Sequence, residues 1–218
     1  VFVSTKIFIY LYMKIKNKEL IQSYVLTTAK YNFTVDEKRI LYKIVESLQD
    51  LTKGITLSSK YIVQTEHYGD RILNFEIADF LPVEDSRNHG RIIKALTNLN
   101  DKSFDYTADN GWERIRIIES PKMKGIGKKM TSVQFRLDKR MYEAFLDFSK
   151  GFKKFELELS MKFETTSAMR FYELFANQKT QITYSILYLK EMFGLSDKYN
   201  NKDVIVFISE LSHYDFYE

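Results

Sequence analysis

From Asp85 to Lys102 the chain reads DSRNHGRIIKALTNLNDK, and at about 100° per residue this stretch separates into two faces. Ile92, Ile93, Leu96 and Leu99 fall on one side, and Arg87, Arg91, Lys94, Asn98 and Lys102 on the other. The spacing predicts a helix over 87–102 with one face given to a core and a basic face left outside. Asp85 or Ser86 offers an N-cap, while Gly90 inside the pattern works against the helix. Taken alone, the basic face fits a solvated surface as well as it fits a polyanion. The short element before it, IADFLPVED, favours a helix-turn-helix.

The flanking segments extend this reading. In TVDEKRILYKIVESLQD, Thr34 and Glu37 form a capping-box pattern and Ile40, Leu41, Ile44, Val45 and Leu48 recur at helical spacing, which predicts a helix over 35–50. LTKGITLS and ILNFEIADFL read as short strand and turn elements. After the basic helix, FDYTADNGWERIRIIES and MTSVQFRLD are alternating, β-branched segments, and PKMKGIGKKM between them reads as the long basic tip of a hairpin. That tip carries Lys122, Lys124, Lys128 and Lys129, with Gly125 and Gly127 allowing close approach of backbone to a phosphate. Helix, turn, helix and hairpin in this order predict a winged helix. KRMYEAFLDFSK then reads as a short helix, KKFELELSMKF as a strand and TTSAMRFYELFANQ as a helix with Met169, Tyr172, Leu174 and Phe175 for a core. Thr183 is the expected cap of YSILYLKEMF, Gly194 its stop, LSDKYNNKD a turn and DVIVFISEL a further apolar segment. The expectation is an α+β fold of tandem winged-helix domains: an extension over residues 1–19, a first domain over 20–150, and a second, incomplete one over 155–218 where no second hairpin follows.

Charge and composition narrow the function. Residues 113–154 hold 12 basic and 5 acidic side chains, whereas residues 155–218 hold 6 and 10. Such a local basic excess in a nearly balanced chain suits a polyanion surface. With no Cys, disulfides, thiolate nucleophiles and Cys-ligated zinc are out. The three His, His67, His89 and His213, show no metal-ligand spacing, so no metal and no cofactor are expected. The apolar run Ile7–Met13 is too short to span a bilayer, and MKIKNKEL after it does not resemble a cleavage site, so the expectation is a cytoplasmic protein without a membrane partner. Asp36-Glu37, Glu84-Asp85 and Asp138 with Glu143 read as helix-start acids rather than catalytic carboxylates, and no catalytic residue is assigned. His89 reads as a surface or phosphate-side group, Trp112 as an aromatic that enters a strand after a turn at Asn110-Gly111 and packs under the hairpin, with stacking on an exposed base as the alternative, and Arg170 as the partner of a carboxylate such as Glu173 or one across the domain interface.

Three phrases bring a resemblance to a known family. LTTAKYNFTVDEKRILYKIV (Leu26–Val45) is similar to the first-helix signature of the iteron-binding Rep initiators of theta-replicating plasmids, with its Ala-x-Tyr-x-Phe/Leu lead-in and acidic helix start. SAMRFYELFANQ (Ser167–Gln178) resembles the Arg-Leu/Phe-Tyr-Glu-Leu helix that opens their second winged-helix domain, and LKEMFGLSDKY (Leu189–Tyr199) their Leu-Lys-x-x-x-Gly-Leu-x-x-x-Tyr turn. The resemblance implies a protein that binds double-stranded DNA at plasmid origin repeats, starts replication, and can repress its own promoter. It implies a homodimer formed through the first domain, host initiator and replicative helicase as partners, and no active site. Arg87, Asn88, Arg91, Lys94 and Asn98 are then expected toward the major groove, and Lys122, Lys124, Lys128 and Lys129 on phosphates. The chain departs from the family at KDVIVFISELSHYDFYE, which has one basic residue, Lys202, where a recognition helix should be basic. Two other functions stay open at this point: a winged-helix regulator or dimerisation module without initiator activity, and a DNA-nicking enzyme, against which the lack of a His-x-His cluster weighs.

Overall fold

The structure is a computed structural model that describes residues 6–9, 18–23, 27, 32–52, 63–65, 68–81, 89–108, 111–126, 129–146, 152–176, 182–195 and 199–209. In chain order the elements are β1 (Lys6–Ile9), β2 (Glu19–Ser23), α1 (Val35–Thr52), β3 (Val63–Thr65), β4 (Arg71–Glu76), a 3-10 turn (Ile77–Phe80), α2 (His89–Asp101), β5 (Ser103–Ala108), β6 (Gly111–Arg116), β7 (Glu119–Ile126), β8 (Lys129–Leu137), α3 (Lys139–Leu146), β9 (Phe152–Glu156), α4 (Leu157–Lys162), α5 (Thr166–Phe175), β10 (Ile182–Ser185), α6 (Ile186–Phe193) and α7 (Asn201–Ser209). The mixture is α+β. Contacts gather these into two compact units, one of residues 36–147 and one of residues 1–35 with 148–218.

The 36–147 unit is built on an antiparallel sheet in the order β3-β4-β8-β7, with β5 and β6 as a separate hairpin. Alternation decides its two faces. Leu73 lies across from Phe135 and Phe75 across from Val133, and all four are buried. The Phe75 ring stacks on Phe135 at 5.7 Å and meets Phe80 of the 3-10 turn at 5.1 Å, within the range of favourable ring pairs. The helices bring the apolar stripes read from sequence: Ile40, Leu41, Ile44, Val45 and Leu48 on α1 and Ile92, Leu96 and Leu99 on α2 are all buried, whereas Ile93 is half-buried and Ala95, outside that reading, is buried in its place. The other face of the sheet is polar, with Gln134 donating to Asn74 across strands at 3.0 Å.

The hairpin expectation needs correction. FDYTADNGWERIRIIES folds back on itself as β5 and β6, with Ala108 paired to Gly111 and Thr107 to Trp112, in agreement with a turn read before Trp112. Asn-Gly at that position is a hairpin-turn signature, and Gly111 takes φ +142. PKMKGI is not a loop: it forms most of β7, which pairs with β8 from Glu119↔Arg136 to Ile126↔Lys129. Pro121 is tolerated because β7 is an edge strand and Pro121 sits in the register shift between Glu119 and Lys122, where no ladder N–H is required. The Trp112 side chain, and with it the expected packing, lies outside the described residues.

α3 is started by two carboxylates. Asp70 accepts from the Lys139 N–H at 2.9 Å and Asp138 from the Arg140 N–H at 2.8 Å, so two of the helix's open donors are satisfied. The Arg140 guanidinium, also on Asp138 at 2.9 Å, holds that carboxyl below its ordinary value, with burial opposing and the Arg140 N–H adding. A depressed carboxylate contributes stability that is present above its unfolded value and lost as pH falls through the folded one. Asp138→Ala is therefore expected to cost about 1 kcal/mol at neutral pH. The gap from wild type should close toward about pH 3, below the ordinary Asp value of about 3.9, as read by urea titration at both pH values.

In the other unit, β2 pairs with β9 from Glu19↔Glu156 to Ser23↔Phe152, and β1 pairs with β10. Residues 1–19, expected as an extension, thus include β1 and the first residue of β2. Residues 20–35 share this unit with 148–218 rather than with the basic helix, which differs from a division at 150–155. The reason is burial. Gln22 donates to Glu173, 151 positions away, at 3.0 Å and to Thr27 at 3.1 Å, and all three are buried; Thr166 donates to the Phe33 carbonyl at 3.1 Å. Phe155 and Phe163 close on Tyr172 at 6.1 and 5.1 Å, and the Tyr172 hydroxyl accepts from the Glu156 N–H at 3.0 Å. Burial first of all raises the Tyr172 phenol well above its ordinary value.

Two local readings change here, and Arg170 shows partners that the sequence did not name. KKFELELSMKF is a strand only to Glu156; Leu157, Ser160 and Met161 are buried at helical spacing and form α4. Thr183 lies in β10, and the cap of α6 is Ser185, which accepts from the Tyr188 N–H at 3.1 Å. Arg170 donates to the Phe193 carbonyl at 3.0 Å and stacks on the Phe193 ring at 4.2 Å, while Glu173 takes the Gln22 amide. Gly194 stops α6 as expected, at φ 63. Met169, Tyr172, Leu174 and Phe175 are buried as read.

Candidate nucleic-acid interface

The basic helix is α2, which the structure describes from His89 to Asp101. Arg87 and Asn88 lie outside the described residues, as do Asp85 and Ser86. On the described part, Lys94 is exposed and Asn98 is half-buried, and the two lie on one side of the helix four positions apart. Arg91 is placed differently. Its Nε and Nη2 donate to the two oxygens of Asp36 at 2.9 and 2.7 Å, a bidentate pair, and Asp36 also accepts from Arg39 at 3.2 Å. Lys102, on the same flank, donates to the buried Glu37 at 2.5 Å. The acidic first turn of α1 thus holds α2, beyond the macrodipole role expected of it.

The ends of α2 are tied to the sheet. His89 Nδ1 lies 2.8 Å from the Met130 carbonyl, and Asn100 Oδ1 accepts from the Ser120 N–H at 3.2 Å. Met130 pairs with Gly125, so α2 runs beside β7 and antiparallel to it. His89 is accordingly a contact to β8 in this structure.

Lys122 and Lys124 stand on a strand and not on a flexible tip. Lys122 and Lys124 are exposed on the edge strand, two positions apart and hence on one face. They lie across from Gln134 and Ser132, whereas Met123 between them lies across from the core residue Val133. The two lysines therefore sit on the polar face of the sheet, opposite the face that carries Leu73, Phe75, Val133 and Phe135. Lys129 opens β8, its side chain outside the described residues, and Lys128 lies wholly outside them. The structure brings Lys122 and Lys124 together on that face.

Two basic residues escaped the sequence reading. Arg114 and Arg116 on β6 are exposed and alternate with Ile115, which is buried. Their hairpin begins two residues after α2 ends, and the Ile117 N–H donates to the Lys102 carbonyl at 3.0 Å, fixing hairpin to helix. The signal is the Arg-Ile-Arg alternation of WERIRIIES, which puts two cations on the outer face of a strand. In the other unit, α7 covers most of the segment read as apolar and poor in basic residues. It exposes Ile205 at 44% and Val206 at 54%, beside Lys202.

Among the described residues no helix is long and apolar enough to cross a membrane. In comparison with known proteins, the model of one family, described as initiator replication protein, WH1, matches residues 19–176. The match runs through both compact units and includes residues 155–176, which the sequence reading had given to a second domain. No curated protein sequence matches the chain.

Proposed function

The chain belongs to the initiator replication protein family through its first winged-helix domain, and from that premise we propose that it binds double-stranded DNA repeats at a plasmid origin with the 36–147 unit. The observation that carries the assignment to this unit is the exposed basic set on adjoining elements: Lys94 with Asn98 on α2, and Arg114 with Arg116 on the hairpin that follows it. In this reading α2 enters the major groove, Lys94 and Asn98 face base edges, and Arg114 and Arg116 hold phosphates from the hairpin. Lys122 and Lys124, on the opposite sheet face, add to the positive field without touching the same stretch of duplex. The protein acts without catalysis and without a cofactor, in the cytoplasm, as a homodimer that represses its own promoter and as an initiator joined by host initiator and helicase.

β10, α6 and α7 are read as the start of a second winged helix. The apolar exposure of α7 supports leaving base reading to the first domain, since phosphate and base contacts need donors.

Binding-site selection from a random duplex library tests the reading. The wild-type chain is expected to enrich a repeat-like sequence, and Lys94→Ala or Asn98→Ala to relax it at one or two positions, by about 1–3 kcal/mol at each base pair concerned. Enrichment that is unchanged by either substitution would move the reading surface off α2. A regulator without initiator activity would show the same selection but fail to support replication of an origin plasmid.

A further inference from the structure

We propose that Arg91 is a positioning residue, locked by Asp36, and that the acidic first turn of α1 fixes the rotation at which α2 presents Lys94 and Asn98. This rests on the DNA-binding reading above and refines it, since Arg91 was itself expected to meet DNA. Three observations carry the step.

The first is geometric. A guanidinium fork satisfied by both oxygens of a single carboxylate defines distance and plane together, which a point charge does not. The second is that the anchor is itself fixed. Asp36 has a side chain only 15% exposed against 42% for Arg91, it is held from α1 by Arg39, and a carboxylate in a helix's first turn is favoured by the positive end of the macrodipole. The third is repetition. The next residue, Glu37, takes Lys102, and positions 91 and 102 lie on one flank of α2 because eleven residues make close to three turns. Two consecutive acids thus pin the helix near both ends, with α1 as the frame, and turning α2 about its axis would break both pairs. Asn98 lies about 20° and Lys94 about 60° from Arg91 on the wheel, both to the side away from Lys102, so the rotation that the two pairs fix also fixes these side chains, and Lys94 stays exposed.

The two roles of Arg91 predict opposite signs. If Arg91 positions α2, Asp36→Asn weakens binding to the sequence that the wild type enriches, and if Arg91 binds DNA, the same change releases a cation and removes a nearby anion, so binding tightens. The experiment uses the full chain, the enriched duplex, an unrelated duplex of equal length and a salt series. Expected is a roughly tenfold loss on the enriched duplex for Asp36→Asn, with the unrelated duplex changed less than about twofold. Arg91→Ala should give the same loss, with the double variant no worse and the salt slope unchanged. The exchange Asp36→Arg with Arg91→Asp should restore most of the selectivity, which separates the lock from a mere loss of fold. Tighter binding by Asp36→Asn, or a salt slope lowered by about one in Arg91→Ala, would overturn the proposal. A wild-type chain that enriches no sequence would remove the DNA reading and this step with it, and that failure is visible before any variant is made.

Discussion

Replacing Lys94, Arg114 and Arg116 together by alanine should weaken binding to every duplex, cognate or not, by roughly two to three orders of magnitude at about 0.1 M salt. Each lysine or arginine that neutralises a phosphate releases condensed counterion, and the logarithm of the binding constant falls with the logarithm of salt with a slope of about 0.9 per contact. Three exposed cations on α2 and β6 should therefore lower the slope by nearly three if all of them reach the backbone, and by about two if Lys94 is spent on a base edge. Fluorescence anisotropy of a labelled duplex over a salt series reads slope and affinity together. The paired substitution Lys122→Ala with Lys124→Ala is the internal comparison. Those lysines lie on the polar sheet face across from Gln134 and Ser132, so their loss should move the slope by less than one. A larger effect there than on β6 would place the duplex on the sheet face.

Phe75→Ala should destabilise the 36–147 unit by about 3–5 kcal/mol. Phe75 is buried, stacked on Phe135 and in contact with Phe80, so its removal loses apolar burial and two ring contacts and leaves a space that the sheet cannot close without moving β8. Trp112 is the one tryptophan of the chain and lies on β6, so its emission follows this unit's unfolding in urea. The midpoint should fall well below that of wild type. The same substitution should cost sequence-selective binding in proportion to the fraction unfolded, since α2 is held on the core that Phe75 fills. A loss under about 1 kcal/mol would mean that the ring cluster is not what joins the sheet to the 3-10 turn.

The sequence showed the helices well and the strands poorly, and the contrast has a local cause. α1, α2 and α5 carry apolar residues at helical spacing, and all the residues that the spacing named are buried except Ile93 on α2, which is half-buried. Gly194 ends α6 where a left-handed residue was expected. The reciprocal cap of α7, with the Asn200 N–H donating to Asp203 and the Asp203 N–H to Asn200, was legible as an Asn-x-x-Asp pattern and was passed over as turn. Strand segments fared worse because alternation says that two faces exist but not which strand lies alongside. Pro121 and Gly125 argued for a loop, and only the edge position of β7, with its register shifts, lets them stand in a sheet.

The site divides in the same way. Local sequence found the cationic face of α2 and the lysine-rich stretch, since charge and periodicity are properties of neighbouring residues. It could not find that Arg91 faces Asp36 or that Lys102 faces Glu37, because those partners lie 55 and 65 positions away. What the sequence by itself determined was the identity of the helices, their buried and exposed sides, several of their ends, and the basic middle of the chain. Tertiary structure alone decided that β2 joins β9, that the lysines of β7 stand on the sheet face away from the core, and that Arg91 meets a carboxylate. Helical spacing and capping act over a few residues and are written in consecutive letters, whereas strand pairing and ion pairing join positions whose closeness exists only once the chain has folded.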